Sequence, residues 1–176
     1  MASVEELLDL VTPPRKISHT VDWRSIKRGL GVQLPGDYRD LVSNYGPGVF
    51  DDFLGVLVPN APIEYADIVT QQPAFKTGLE ALKNVDPSAV PHNIADLTAC
   101  AATSNGDIIC WIGSRDEDPN AWSIGISAPR DGLWEEYQGT LTDFLCAIFS
   151  RGYSSSIFPK AFPNANGSTF VPFDAK

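Results

Sequence analysis

The sequence predicts an α+β domain, and three observations carry that prediction. Apolar residues recur at helical spacing in three stretches between residues 4 and 46 and again at 140–151. Short runs of β-forming residues lie between them, bounded by Gly, Pro and Asn. One boundary is Asn105-Gly106, a pair suited to the positive φ angles of a tight hairpin. The expected architecture is an N-terminal helical hairpin, a mostly antiparallel sheet, a C-terminal helix packed on that sheet, and an irregular C-terminal arm.

Residues 4–11 place Leu7, Leu8, Leu10 and Val11 near helical spacing until Pro13-Pro14 stops the run. A second helix follows, with Asp22 as N-cap, Trp23, Ile26 and Leu30 on one face, and Gly31 as its stop. The third has Pro35 in its first turn, Tyr38, Leu41, Val42 and Tyr45 as its apolar stripe, and Gly46 beyond its end. Only a few residues join the second and third helices, so they are expected to pack as a hairpin. After Gly46-Pro47-Gly48 the period becomes that of a strand, with 54–58 rich in β-formers and closed by Pro59.

Ile63, Ile68, Phe75, Leu79 and Leu82 return to a helical rhythm, which Pro73 is expected to break into two pieces. Residues 97–103 and 108–113 form a hairpin about Asn105-Gly106, and 122–127 and 133–137 supply two more strands. Residues 140–151 close the domain as a helix, with Leu141, Phe144, Leu145, Ile148 and Phe149 sharing a face. The domain therefore spans 1–153. Residues 154–176 mix Ser, Pro, Asn and Gly with Phe158, Phe162, Phe170 and Phe173 and show no clear period. They form an arm or a tail, and the four phenylalanines favour an arm pressed on the domain.

At 176 residues and 43% hydrophobic, with four Trp and nine Phe, the chain has enough apolar surface to exclude disorder as a whole. No apolar run approaches the roughly 20 residues needed to span a bilayer. The start, MASVEELLDL, carries Glu5 and Glu6 and no long apolar stretch, unlike a secretory signal, so a cytoplasmic location is expected. Cys100, Cys110 and Cys146 lie in apolar contexts with no CxxC pair, which favours buried free thiols over a zinc site or disulfide. A two-residue turn at 105–106 would put Cys100 and Cys110 on opposite faces of the hairpin, whereas a three-residue loop would bring them face to face.

Chemistry-bearing motifs are sparse. His19 and His92 read as surface histidines, and neither a GxSxG elbow nor a GxxxxGK[ST] loop is present. Asp51-Asp52, Asp116-Glu117-Asp118 and Glu135-Glu136 come closest to a cluster, and a solvated face is favoured over a catalytic pair. No catalytic residue, metal ligand or cofactor is expected, and an enzyme using the acidic cluster ranks a distant third among the readings.

Charge placement is more informative. Thirteen bases against 22 acids give −9, which disfavours direct binding to nucleic acid and suits a basic protein partner. Residues 12–40 hold six bases against three acids, a balance of +3. Residues 51–67 hold four acids and no base, and 114–137 hold six acids against two bases, each a balance of −4.

Trp23, Leu30-Gly31, Leu34-Pro35, Asp37-Tyr38, Tyr45-Gly46 and Gly48, in that order, resemble the opening of the SUKH superfamily. That superfamily includes bacterial toxin-immunity proteins and the fungal cell-wall-assembly regulator. The hairpin at 101–113 and the segment GTLTDFLCAIFSRG at 139–152 resemble its final strands and C-terminal helix, so the likeness covers most of 22–152. Trp23, Pro35, Tyr38, Gly46, Gly48 and Phe144 mark the fold and not an active site. The resemblance implies a non-catalytic immunity protein of a polymorphic toxin system, which binds a cognate toxin, often a nuclease, inside the cell. The surface expected to occlude the toxin's basic groove is Asp51, Asp52, Glu64, Asp67, Asp116, Glu117, Asp118, Glu135 and Glu136. The alternative is a regulatory or scaffolding module with an endogenous partner.

Overall fold

The computed structural model describes residues 2–173. Met1 and the last three residues of the expected arm, 174–176, lie outside the described residues. The helices are α1 (Val4–Leu10), α2 (Trp23–Leu30), α3 (Gly36–Tyr45), α4 (Ile68–Val85) and α5 (Leu141–Phe149). The strands are β1 (Gly48–Phe50), β2 (Leu54–Val56), β3 (Leu97–Thr103), β4 (Ile108–Ile112), β5 (Ser123–Ala128), β6 (Leu133–Tyr137) and β7 (Phe170–Pro172). They form one antiparallel sheet in the order β6-β5-β4-β3-β2-β1-β7. The fold is α+β, as the sequence predicts.

Alternation along the strands sorts side chains to two faces. Phe50, Trp111, Ile124 and Tyr137 meet α3 and α5: Phe50 stacks on Phe149, Trp111 meets Tyr38 edge-on with centroids 5.0 Å apart, and Tyr137 meets Phe144. The opposite face, with Ala99 and Ile108, is covered by α4 through Phe75 and Leu79. Phe144 is fully buried, and Tyr38 is buried with its hydroxyl donating to the Leu57 carbonyl at 2.6 Å. Trp23 is only partly buried and rests edge-on against Tyr38.

Local structure departs from the sequence expectation in four places. The second and third helices do not pair closely as a hairpin: α2 packs chiefly on α4, while α3 packs on α5 and α1. The Tyr45 hydroxyl, donating to the Val11 carbonyl at 2.6 Å, fastens α1 to α3. Pro35 occupies the capping position instead of the first turn, and the Gly36 amide is capped by Asn120 Oδ1 at 2.8 Å from the β4–β5 loop.

Pro73 does not divide α4. Asp67 caps this helix through the Thr70 amide, only a single 3₁₀ turn at Glu64–Ala66 precedes it, and the helix runs unbroken to Val85. Burial of Ile68 before the proline and of Phe75 and Leu79 after it anchors both sides, so tertiary packing outweighs one lost N–H.

The hairpin has a three-residue loop, Ser104 to Gly106, with Thr103 and Asp107 paired by main chain and by their side chains at 2.7 Å. A bulge at Cys100 then shifts the register, so that Cys110 faces Ala99 and the two thiols are not cross-strand partners. All three cysteines are free and buried.

Residues 154–173 return over the domain. Phe158, 7% exposed, packs among Phe53, Phe144 and Phe162, and β7 adds to the β1 edge, where Phe170 rests on Tyr45 and Phe50. That seam explains Gly48: a Cβ there would lie 2.3 Å from the Phe170 ring and 2.5 Å from the Val171 carbonyl oxygen. Just before it, Gly46 takes φ +67° and ψ −163°, a conformation open to glycine alone.

Candidate functional site

The nine acids expected to meet a partner do not form one patch. Successive antiparallel strands carry the β1–β2 turn, with Asp51 and Asp52, to the end of the sheet that also holds the β3–β4 loop. The β4–β5 loop, with Asp116, Glu117 and Asp118, lies at the other end. Glu135 and Glu136 sit side by side on the edge strand β6 and therefore point to opposite faces.

Asp51 is engaged within the protein. Both it and Asp52 have positive φ, near 50°, which turns the chain sharply between β1 and β2. The Asp51 carboxylate accepts from the Asn164 amide at 2.8 Å, the Ser168 hydroxyl at 2.9 Å and the Thr169 amide at 2.7 Å. It thereby fixes the returning arm to the sheet edge. Glu135 does the same for the segment after α5, accepting from the Tyr153 hydroxyl at 3.2 Å, the Ser156 amide at 3.0 Å and the Ser156 hydroxyl. Burial raises the Glu135 carboxyl, but hydrogen bonds from Ser156, Ser155 and Tyr153 outweigh it and hold the group below its usual range.

Glu136, on the other face, accepts from His92 Nε2 at 2.6 Å and from Trp134 Nε1 at 2.9 Å. The His92 hydrogen bond is the main reason its carboxyl also lies below the usual range. Lys83 donates to the His92 carbonyl, so α4, the 92 loop and β6 are linked. Sequence gave no hint of this group, because its members lie 44 residues apart and no spacing rule connects them.

The remaining acids face solvent or serve their own turns. Asp52, Glu64 and Asp116 are exposed. Glu117 accepts from the Ser114 amide and Asp118 from Asn120, both within three residues along the chain, and both carboxylates stay exposed. Asp67 is half-buried as the cap of α4.

The three thiols are the nucleophiles the sequence singles out, and all are buried. Burial pushes all three thiols up, Cys146 to about 12, so at neutral pH they are protonated and weakly nucleophilic. Among the described residues, no three His, Cys, Asp or Glu side chains gather as a metal site requires, and no helix is long and apolar enough to cross a membrane. No protein-family model, no curated protein and no solved structure matches the chain.

Proposed function

We propose that this chain is an immunity protein, which binds a cationic protein toxin and neutralises it by covering the toxin's basic, phosphate-binding groove. One observation carries the reading. Among the described residues the only ion pair within 4.0 Å is His92 with Glu136, so no lysine or arginine is paired with a carboxylate. The net charge of −9 projects a long-range field whatever the pairing, and carboxylates with no lysine or arginine beside them keep their local fields as well, so a basic partner is drawn in and its encounter is faster.

The binding surface narrows accordingly to Asp116, Glu117 and Asp118 on the β4–β5 loop, adjacent acids with exposed carboxylates and no distant internal partner, while exposed Asp52, at the other end of the sheet, and Glu64 contribute to the field only. The resemblance of residues 22–152 to SUKH immunity proteins supports the same class of partner, and the protonated thiols agree with a binding role. A nuclease is the toxin such a surface suits best, because its groove must already hold a polyanion.

The test is a tagged pull-down from the native cell at low and at high salt, followed by assay of the recovered protein. Recovery at low salt of one basic nuclease, whose activity is suppressed at equimolar ratio, is the expected result. Recovery only of housekeeping partners, with no inhibition of a co-expressed toxin candidate, would replace this reading with a regulatory module.

A further inference from the structure

A cavity of about 190 Å³ opens between α2, α4 and the β4–β5 loop. Leu30, Val32, Val69 and Trp122 give it apolar walls, and Lys76 and Arg115 line it as cations. Among the described residues no carboxylate lines it, and none lies within 4.0 Å of either cation. The Arg115 guanidinium stands over the C-terminal end of α2, 3.1 Å from where a Cβ on Gly31 would be, and the negative end of that helix favours a cation there.

The remaining polar groups divide into satisfied and unsatisfied. Gln72, buried in the wall, donates to the Ile68 and Ala99 carbonyls at 2.9 and 3.0 Å and accepts from the Ala99 amide at 3.0 Å. Its amide is fully engaged. Trp122 is 3% exposed, and its Nε1 has no acceptor. The pyrrole edge lies against Gly113, itself part of the wall, since a Cβ on Gly113 would fall 2.2 Å from Nε1. A buried indole N–H ordinarily finds a partner.

We infer that this cavity binds a small organic monocarboxylate with an aromatic or branched apolar body. Its carboxylate is held between Arg115 and Lys76, and the planar guanidinium suits the two oxygens of that group. Its apolar body lies on half-buried Leu30 and Val69 and against the edge of Trp122, so the body and the two aliphatic walls leave water together. A compact, strongly hydrated anion leaves those walls uncovered, and a neutral analogue leaves both cations unanswered. The site owes nothing to the acidic surface and stands whether or not a toxin is the partner.

Calorimetric titration of the full chain with benzoate, with benzamide and inorganic phosphate as controls, tests the site, and tryptophan emission gives a second readout. Benzoate is expected to bind saturably, and each control at least about tenfold more weakly. Lys76→Gln and Arg115→Gln each weaken benzoate about tenfold, and together abolish its binding while the free protein still folds and melts cooperatively. Val69→Phe, which keeps both cations but fills the cavity, abolishes binding as well. Failure of benzoate to bind, equal binding by the double variant, or phosphate or benzamide binding as tightly as benzoate would overturn the inference.

Discussion

The β1–β2 turn and the β4–β5 loop look alike in sequence, each an exposed-looking run of adjacent acids, yet they do different work. Asp51 gathers three donors from residues 164–169, more than a hundred positions away in the chain. Glu117 and Asp118 bond only within their own turns, and Asp116 accepts no hydrogen bond from the described residues. An acid whose donors come from far along the chain stabilises the fold. An acid whose donors are local leaves its charge to the surroundings. The same division separates Glu135, which holds the segment after α5, from Glu64 in its exposed 3₁₀ turn.

The largest expected effect breaks the arm seam itself. Phe158→Ala removes a ring packed among three others and lowers stability by about 3–4 kcal/mol, read from the shift in the urea midpoint. Asp51→Asn keeps the shape and tolerates the positive φ, but offers an amide NH₂ to groups that are themselves donors. It costs about 1–3 kcal/mol by the same measurement and renders residues 154–173 more open to proteolysis.

Acid sharpens the comparison further. Glu135 and Glu136 both have carboxyls below the usual range in the folded state, so folding favours their ionised forms. Their contribution is complete above the unfolded value of about 4.3 and is lost as pH falls through the lower folded values. A pH series of unfolding midpoints for Glu135→Gln therefore shows a shallower acid limb than the parent. The smallest effect is that of Asp116→Asn, expected to change stability by no more than about 0.5 kcal/mol. A loss as large as that for Asp51→Asn would erase the distinction between the two regions.

Much of the architecture was legible because it rests on local signals. Asp22 caps α2, Gly31 ends it in the left-handed conformation, and Asn105-Gly106 turns the β3–β4 hairpin. What escaped the sequence depends on tertiary partners. β7 has no run long enough to declare itself and becomes a strand by pairing with β1, which is held on its other side by β2. The continuity of α4 through Pro73 reflects burial on the sheet, and the bulge at Cys100 offsets a loop whose length alone implied a different register.

For the candidate surface the limit was the same: charge can be counted along a chain, but whether Asp51 or Asp116 keeps its charge free depends on residues folded against it. His92, Glu136 and Trp134 meet only through the sheet edge, and Lys76 meets Arg115 and Trp122 around one cavity only because the β4–β5 loop folds beside α2 and α4.

The most direct test of the proposed role is the association rate with the toxin recovered in the pull-down, followed by stopped flow from low to high salt. The parent rate is expected to fall steeply as salt screens the exposed charges. The triple variant Asp116→Asn, Glu117→Gln, Asp118→Asn should associate about tenfold more slowly at low salt and show a shallower salt dependence, while Asp51→Asn leaves the slope near that of the parent. A rate independent of salt, or a triple variant indistinguishable from the parent, would contradict an electrostatic capture of the toxin by these acids.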